Sequence, residues 1–410
     1  MTNYYAGVEL GTNSIKILLC TKVDNKYHVI SSVDSPSEGI KRGLIVDSRA
    51  ATNALKKAVK SIDEKLGIKI SQAIVAIPTN DCKVSITTGL IDLDGEYIGG
   101  NHISKIIKNC VDEKITKDEE LVVATPIVYK LDEEDNIKDP LNMSGDVLKA
   151  KVLMITSPKK MVYQILDVCR LGGIEVVDVT YKSVGDYYAA KTNRLDKEVG
   201  AIIDIGEDTT NISVFNKGLM IKNKIINVGS KYIENEICYI YKIDHKVARK
   251  LKEKFVVASA DYADYNEICE LTTPSGEKID SNQLDLSKVV EARCKEILKI
   301  SKNELKNLTN REISYIIITG GVTELAGFQY LVEDILGVKA KVLNMTTTGI
   351  RHNKYSSVLG IVKYIDDKMA IRDKNITMVK EEDVNSLLDM KNDKENSSII
   401  NRVFKHFFEN

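Results

Sequence analysis

The stretch AIIDIGEDTTNISVF, residues 201–215, determines how the rest of the chain is interpreted. An apolar run reaches Asp204, the chain turns at Gly206, and a second apolar alternation follows. This pattern predicts two strands joined by a turn whose backbone N–H groups can bind phosphate. Two acids, Glu207 and Asp208, stand in the turn where an anion would bind. The first question is therefore whether this loop can hold phosphate.

The same pattern occurs 195 residues earlier in the chain. VELGTNS (residues 8–14) and IDIGEDT (residues 203–209) both read apolar, acid, apolar, glycine, any residue, Asn or Asp, then Ser or Thr. Alternating apolar residues follow each copy, so each predicts a β-hairpin. Two hairpins in equivalent places predict a duplicated fold with a cleft between its halves.

A third segment, YIIITGGVTELAGFQYLVEDILG (residues 315–337), predicts a buried strand, then Gly320 and Gly321, then a helix. Two glycines at a strand end let a flat group approach the backbone closely. Apolar residues at helical spacing predict further helices over residues 50–67 and from residue 160 up to a strand ending at 179. Together these elements predict an α/β fold with mixed sheets covered by helices.

Residues 84–163 depart from this scheme. They contain two alternating strand patterns, ELVVATPIVYKL and VLKAKVLMIT, and one helix pattern, GNHISKIIKNCVDEKI. The turn-rich sequence IKDPLNMSG lies between the two strands. We interpret this region as an inserted α+β unit.

Composition excludes several classes of function. The 410 residues carry a formal net charge of -1 with interspersed signs, so no field favours nucleic acid. The seven cysteines are spread singly and the five histidines do not cluster, so neither a zinc nor a redox site is indicated. The N-terminus lacks a signal-peptide pattern, and no apolar run approaches the ~20 residues of a spanning helix. We therefore expect a cytosolic protein unless another segment ties it to a surface.

The three loops, in this order, resemble the two phosphate loops and the adenosine loop of the actin/Hsp70/hexokinase superfamily. More specific motifs, namely IKDPLNMSG, GLIVDSRAATNALKKAV, VVEARCKEILKISKNEL and SSVLGIVKY, resemble the FtsA family of actin-like bacterial division proteins over about residues 5–365. The resemblance implies a duplicated actin-like fold in which an inserted α+β domain 1C replaces subdomain 1B of actin. It also implies a C-terminal amphipathic helix.

The resemblance sets the predicted domain boundaries. Domain 1A takes 1–83 and 164–196, domain 1C takes 84–163, domain 2A takes 197–245 and 312–365, domain 2B takes 246–311, a charged flexible linker takes 366–396, and a membrane-targeting helix takes 397–410.

ATP and Mg²⁺ are the cofactors that the resemblance implies. Glu9 and Asp204 would hold Mg²⁺ through water, while no catalytic residue is identified. The implied nucleotide-binding residues are Gly11, Thr12, Asn13, Ser14, Lys16, Gly206, Glu207, Asp208, Thr209, Thr210, Gly320 and Gly321.

Two residues depart from the family pattern at this site. Asp208 replaces a glycine, and Arg249 falls where the family has a glutamate that contacts the ribose. A carboxylate about 4 Å from a phosphate charge costs roughly 1 kcal/mol at the dielectric of water and about 4 kcal/mol at an effective value of 20. Bound Mg²⁺ could offset this cost, or the side chain could turn away. We expect ATP binding that is weakened or dependent on Mg²⁺, with slow or absent hydrolysis.

The resemblance also implies partners. Arg293, with Glu296 on the same helix face, would hold the acidic C-terminal tail of FtsZ, the tubulin-like ring protein. Self-association into actin-like filaments is expected, and later division proteins are further expected partners. The expected location is the cytoplasmic face of the membrane at the division septum.

The C-terminus carries the expected membrane anchor. Residues 366–396 include 15 charged residues in 31, which indicates a disordered linker. In SSIINRVFKHFFEN, residues 397–410, apolar side chains recur along one helical stripe, and this predicts an interfacial helix. The stripe consists of Ile399, Ile400, Val403, Phe404, Phe407 and Phe408. The alternative is a helix that docks this stripe on the protein's own core.

Two other classes of protein are alternatives at this point. A small-molecule kinase of the superfamily would need a substrate pocket with a catalytic carboxylate, which the sequence does not supply. A pilus-assembly scaffold with an actin-like fold would lack both IKDPLNMSG and the amphipathic tail. An Hsp70 is excluded because no substrate-binding domain follows the nucleotide fold.

Overall fold

The computed structural model describes residues 3–372, 376–379 and 383. Within them the strands are β1 (Tyr4–Leu10), β2 (Ser14–Val23), β3 (Lys26–Pro36), β4 (Ile40–Lys41), β5 (Leu44–Ile45), β6 (Gln72–Ile77), β7 (Lys83–Asp92), β8 (Glu119–Leu131), β9 (Glu134–Ile137), β10 (Val147–Pro158), β11 (Glu175–Tyr181), β12 (Val199–Ile205), β13 (Thr210–Asn216), β14 (Leu219–Ile226), β15 (Ile268–Thr272), β16 (Lys278–Asn282), β17 (Tyr315–Thr319) and β18 (Ala340–Val342). The helices are α1 (Ser48–Leu66), α2 (Gly100–Val111), α3 (Lys159–Gly172), α4 (Lys182–Ala190), α5 (Lys231–Tyr241), α6 (His245–Lys254), α7 (Gln283–Leu308), α8 (Phe328–Leu336) and α9 (Ser356–Ile371).

The chain divides into two compact units. The first contains residues 3–189, 347–350 and the described residues from 357 onward, and the second contains 190–346 and 351–356. The boundary at residue 189 lies close to the predicted start of domain 2A.

The first unit is built on a five-stranded sheet with the order β11-β6-β1-β2-β3. β1 pairs antiparallel with β2 and parallel with β6. α1 packs on this sheet through the residues that helical spacing predicts, including Leu55, Ile62 and Leu66. Asp47 caps its N-terminus by accepting hydrogen bonds from two backbone N–H groups, and Gly67 ends it with φ 70°.

The second unit repeats this topology. Its sheet has the order β14-β13-β12-β17-β18, with β12 antiparallel to β13 and parallel to β17. β12, β13 and β14 therefore correspond to β1, β2 and β3, while β17 and β18 correspond to β6 and β11. The predicted duplication is confirmed, because both hairpins open sheets of the same connectivity.

The insert is a separate antiparallel sheet within the first unit. Its order is β7-β10-β8-β9, and α2 covers one face with Ile103, Ile106 and Ile107 in the shared core. The structure differs from the sequence prediction at the C-terminal boundary. α3 starts at Lys159 and packs against α1, so residues 159–163 belong with the first sheet.

The charged segment after the second unit does not begin as a linker. Residues 366–371 form the last turns of α9, where Asp366 accepts hydrogen bonds from the hydroxyls of Tyr5 (2.5 Å) and Tyr27 (2.7 Å). Residues 376–379 then lie against β1, since the Met378 N–H donates to the Tyr4 carbonyl over 2.8 Å. The predicted linker start at 366 is corrected, because burial and specific donors outweigh the charged composition here.

In the described part of the chain, no helix is both long and apolar enough to cross a membrane.

Candidate functional site

The first hairpin loop connects β1 to β2 through a tight turn. The Gly11 N–H donates to the Ser14 carbonyl over 3.1 Å. A Cβ added at Gly11 would lie 2.6 Å from that carbonyl oxygen, so only glycine fits. The Thr12 hydroxyl accepts from the Gly43 N–H (3.0 Å), and the Asn13 carbonyl accepts from the Ser37 N–H (3.1 Å). The tip of the loop is thus held from outside the hairpin.

Glu9 is the second-last residue of β1, two positions before Gly11, and is 3% exposed. Its carboxylate contacts Lys16 Nζ at 3.6 Å and Lys182 Nζ at 3.1 Å, and it accepts a 2.6 Å hydrogen bond from the Ser357 hydroxyl. Burial alone would raise the pKa of Glu9, but the two lysines and Ser357 outweigh it and lower the pKa to about 2. Glu9 is therefore an ionised carboxylate with two cations beside it.

The second loop repeats the geometry of the first. The Gly206 N–H donates to the Thr209 carbonyl over 2.9 Å, which matches the Gly11–Ser14 bond at an offset of 195 residues. Asp204 is paired in register with Asn211, as Glu9 is with Lys16. The second loop thus has a neutral amide in place of the buried lysine. Thr210, predicted to contact nucleotide, donates its hydroxyl to the Val228 carbonyl over 2.7 Å.

The acids of the second loop face cations from the neighbouring helices. Arg249 of α6 forms an ion pair with Glu207 and a second one with Glu234 of α5 at 3.2 Å. Lys252 Nζ lies 2.5 Å from the other oxygen of Glu234. Burial, followed by the nearby charge of Glu234, raises the pKa of Glu207, and Arg249 opposes that rise.

This cluster changes the interpretation of the two departures from the family pattern. The sequence prediction counted Arg249 as a second departure that adds to the effect of Asp208. In the structure Arg249 contacts the loop acid next to Asp208, and Lys231 Nζ lies 4.0 Å from Asp208 itself. The acids of the loop and the cations of α5 and α6 are therefore electrostatically coupled.

The third predicted loop follows β17. Gly320 has φ 101°, and a Cβ there would collide with the Ile205 carbonyl oxygen, so glycine is required. At Gly321 a Cβ would meet nothing within 4 Å. A short 3-10 helix, Gly321–Glu324, precedes α8. The predicted strand, Gly-Gly turn and helix are all present, and the backbone at Gly321 is open on the side that a side chain would occupy.

The two acids predicted to hold Mg²⁺ through water, Glu9 and Asp204, are both buried. Across the described ranges, no group of three or more His, Cys, Asp or Glu side chains is arranged to hold a metal. Glu9 already has two ammonium groups beside its carboxylate. Asp204 is buried at 5% exposure and lies near the Gly320 turn. The two acids lie in different units, and their role toward Mg²⁺ stays a prediction.

The predicted FtsZ-binding pair lies on α7. Arg293 Nη1 is 2.7 Å from a carboxylate oxygen of Glu296 and 3.3 Å from the Tyr232 hydroxyl of α5. The Arg293 guanidinium also lies over the Tyr232 ring, 5.5 Å from its centroid. The structure thus brings the two predicted residues together and adds an aromatic neighbour.

The predicted membrane residues fall outside the described part of the chain. These residues are Ile399, Ile400, Val403, Phe404, Phe407 and Phe408. Their helical stripe stays a prediction.

Sequence reasoning missed several charged partners at the two loops. Lys182 and Ser357 contact Glu9 but carry no local signal. Glu234 did carry a local signal in the sequence. It lies between Ile233 and Ile237 of α5, which are buried and where helical spacing predicts an apolar face. A buried carboxylate on such a face indicates a nearby cation.

Comparison with known proteins first defines the class. Among solved structures, MreB5 of Spiroplasma citri bound to ADP superposes with a TM-score of 0.55 at 13% identity, covering 90% of this chain and 98% of that one. The PilM-PilN type IV pilus biogenesis complex gives a TM-score of 0.57 at 14% identity, with 88% and 98% covered. Together with the duplicated sheets and paired loops, these similarities define an actin-like fold.

The sequence comparisons give the family. A model of cell division protein FtsA matches residues 201–360, and a model of the SHS2 domain inserted in FtsA matches residues 80–156. Cell division protein FtsA of Streptococcus pneumoniae is 26% identical over 365 residues, which cover 88% of this chain and 80% of that protein. FtsA of Bacillus subtilis is also 26% identical, with 88% and 83% covered. The chain belongs to the FtsA family of cell division proteins.

Proposed function

We propose that this protein is an ATP-binding adaptor of the division ring that links FtsZ to the cytoplasmic face of the membrane and assembles into filaments. Its membership of the FtsA family supports each part of this function. The observation that carries the nucleotide part is the repeated turn, in which Gly11 and Gly206 each donate to the residue three positions on. Backbone amides in such turns form anion-binding concavities.

ATP is the proposed nucleotide and Mg²⁺ the proposed ion. Structural neighbours include MreB5 of Spiroplasma citri bound to ADP and bound to AMPPNP, which supports a nucleotide on this fold. The first loop and Lys16 would bind phosphate oxygens, and the open backbone at Gly321 would admit the adenine ring. Mg²⁺ would supply positive charge to the phosphates, and Glu9 and Asp204 are the acids proposed to hold it through water.

Hydrolysis is proposed to be slow or absent. A general base for water must be free to accept a proton. Glu207, an acid of the second loop, is held in an ion pair with Arg249, so its carboxylate is not free for this role. Phosphate release measured over hours, with and without filament-promoting conditions, tests this point, and turnover of many ATP per minute would contradict it.

Calorimetry tests the nucleotide proposal directly. The protein is titrated with ATP in the presence and absence of Mg²⁺, and heat of binding is expected at least with Mg²⁺. Gly11→Ala should abolish binding, because its Cβ would lie 2.6 Å from the Ser14 carbonyl oxygen. Gly99→Ala is the matched control, since a Cβ there meets nothing within 4 Å. No heat from the unaltered protein in either condition would refute ATP binding.

A further inference from the structure

Six charged side chains form one cluster at the second loop. Arg249 is shared by two carboxylates, Glu207 of the loop and Glu234 of α5, and Lys252 forms a second ion pair with Glu234. Lys231 lies 4.0 Å from Asp208. The cluster thus holds three carboxylates and three cations, so its formal charges cancel. The members are Glu207, Asp208, Glu234, Lys231, Arg249 and Lys252.

The burial of part of this cluster makes the balance between its positive and negative charges necessary. Glu234 is 1% exposed, and a buried carboxylate without a cation is strongly destabilising. Lys252 is also buried and serves Glu234. Arg249 forms the ion pair with Glu207, and its side chain keeps 34% exposure toward solvent. Arg249 therefore links a structural ion pair to an acid in the phosphate-binding turn.

We propose that Arg249 is a charge-compensating residue that keeps the second loop neutral and so allows it to accept a polyphosphate. The inference rests on the proposed nucleotide binding and concerns how this particular loop, with two acids, can take part in it. Loss of the arginine removes the ion pair of Glu207 and leaves the cluster with a net negative charge beside Asp208. The phosphates then meet a loop of net negative charge, which repels them according to their own charge.

If Arg249 acts through its charge, its replacement should weaken binding more for ligands with more negative charge. A change in the shape of the site would affect all of these ligands alike. Arg249→Gln is expected to weaken ATP binding about tenfold, which corresponds to about 1.4 kcal/mol. ADP should be weakened less than ATP, and uncharged adenosine should bind as it does to the unaltered protein. Added salt should shrink the difference between the variant and the unaltered protein, because salt screens exposed charges.

The neighbouring Lys250 provides a matched control. It lies on the same helix, is exposed, and is not part of the cluster. Lys250→Gln removes the same charge without uncovering a carboxylate, so ATP affinity should stay unchanged. The double variant Glu207→Gln/Arg249→Gln removes the uncompensated charge together with its partner. Its ATP affinity should exceed that of Arg249→Gln.

Calorimetric titration of the full chain with ATP, ADP and adenosine gives the outcome. The proposal would be overturned if Arg249→Gln bound ATP as tightly as the unaltered protein. It would also be overturned if Lys250→Gln lost as much ATP affinity as Arg249→Gln. If Arg249→Gln fails to fold, Lys231→Gln is tested instead, since Lys231 is the half-exposed partner of Asp208. Weaker ATP binding is expected for this variant, and unchanged ATP binding would overturn the proposal. Failure of the unaltered protein to bind ATP would instead reject the proposed function.

Discussion

The Ser357 hydroxyl donates a 2.6 Å hydrogen bond to Glu9, although the two residues are 348 positions apart in the sequence. The bond joins the start of α9 to the last turn-side residues of β1, just before the first hairpin loop. It is one of three interactions that stabilise the ionised form of a buried carboxylate. The loop is therefore supported by a part of the chain that no local pattern connects to it.

Ser357→Ala should make the protein less stable near neutral pH, and its stability should then fall less on acidification than that of the unaltered protein. A hydrogen bond to a charged group contributes about 1.5–3 kcal/mol. The pKa of Glu9 is lowered to about 2 in the folded state, against about 4.3 when unfolded. Its stabilising contribution is thus complete above the unfolded value and is lost as the pH falls toward 2. The variant should raise the pKa of Glu9 in the folded state and so narrow the pH range over which this contribution is lost.

Urea unfolding between pH 2 and 7 measures this effect. The exposed Ser48→Ala at the start of α1 is the control and should follow the unaltered protein. If Ser357→Ala shows the same pH dependence as that control, the hydrogen bond does not hold the charge of Glu9.

The two adjacent glycines after β17 should respond differently to alanine. Gly320→Ala forces a φ of 101° on a residue with a Cβ and drives that atom into the Ile205 carbonyl, so a loss of at least about 1–3 kcal/mol is expected. Gly321→Ala has open space and should fold normally. It should nevertheless weaken ATP binding, because the new methyl group occupies the space proposed for the adenine. Thermal unfolding and calorimetry on both variants provide the comparison, and reversed effects would refute the assignment.

Arg293→Glu should abolish binding of an FtsZ C-terminal tail peptide while the protein folds normally. The substitution places a negative charge beside Glu296, where an acidic peptide would otherwise meet a guanidinium. Lys299→Glu makes the same charge change at an exposed position of the same helix and should bind the peptide almost unchanged. Fluorescence anisotropy of a labelled peptide is the measurement. Equal binding by Arg293→Glu and the unaltered protein would remove Arg293 from the proposed site.

The segment after α9 should contribute to the stability of the first unit. Met378 is 1% exposed, its N–H donates to the Tyr4 carbonyl, and its sulfur accepts from the Ala6 N–H over 3.3 Å. A chain that ends at Arg372 should lose about 2–4 kcal/mol, since it gives up this burial and these bonds. A chain that ends at Asp383 keeps the contacts and should match the full chain in denaturant unfolding. Equal stability of the two truncated chains would mean that the contacts contribute nothing.

Removal of residues 397–410 should abolish sedimentation with anionic liposomes and leave nucleotide and FtsZ binding intact. One short helix with three phenylalanines and a small positive charge should bind a surface weakly, so filament formation would be needed for firm attachment. Phe404→Glu or Phe407→Glu should have the same effect as the deletion. If the shortened chain sedimented with the liposomes as completely as the full chain, the anchor would lie elsewhere.

The sequence by itself determined the elements whose signals are local. Strand alternation and single glycines predicted both hairpins, and apolar spacing predicted α1 and α2, because side-chain periods and turn chemistry act over a few residues. The repeat at 195 residues predicted the duplication that the two sheets show. The strand pattern around IKDPLNMSG predicted an inserted α+β unit, which the structure contains.

Only the tertiary structure decided which charges meet. Glu9 contacts Lys182 and Ser357, and Glu207 contacts Arg249, across sequence distances that no periodicity encodes. Charged composition predicted a linker from residue 366 onward, yet Asp366 is held by two tyrosine hydroxyls and Lys22. Composition averages over a segment, whereas the free energy of a buried charge depends on the donors within about 3 Å of it, and folding alone brings those donors into place.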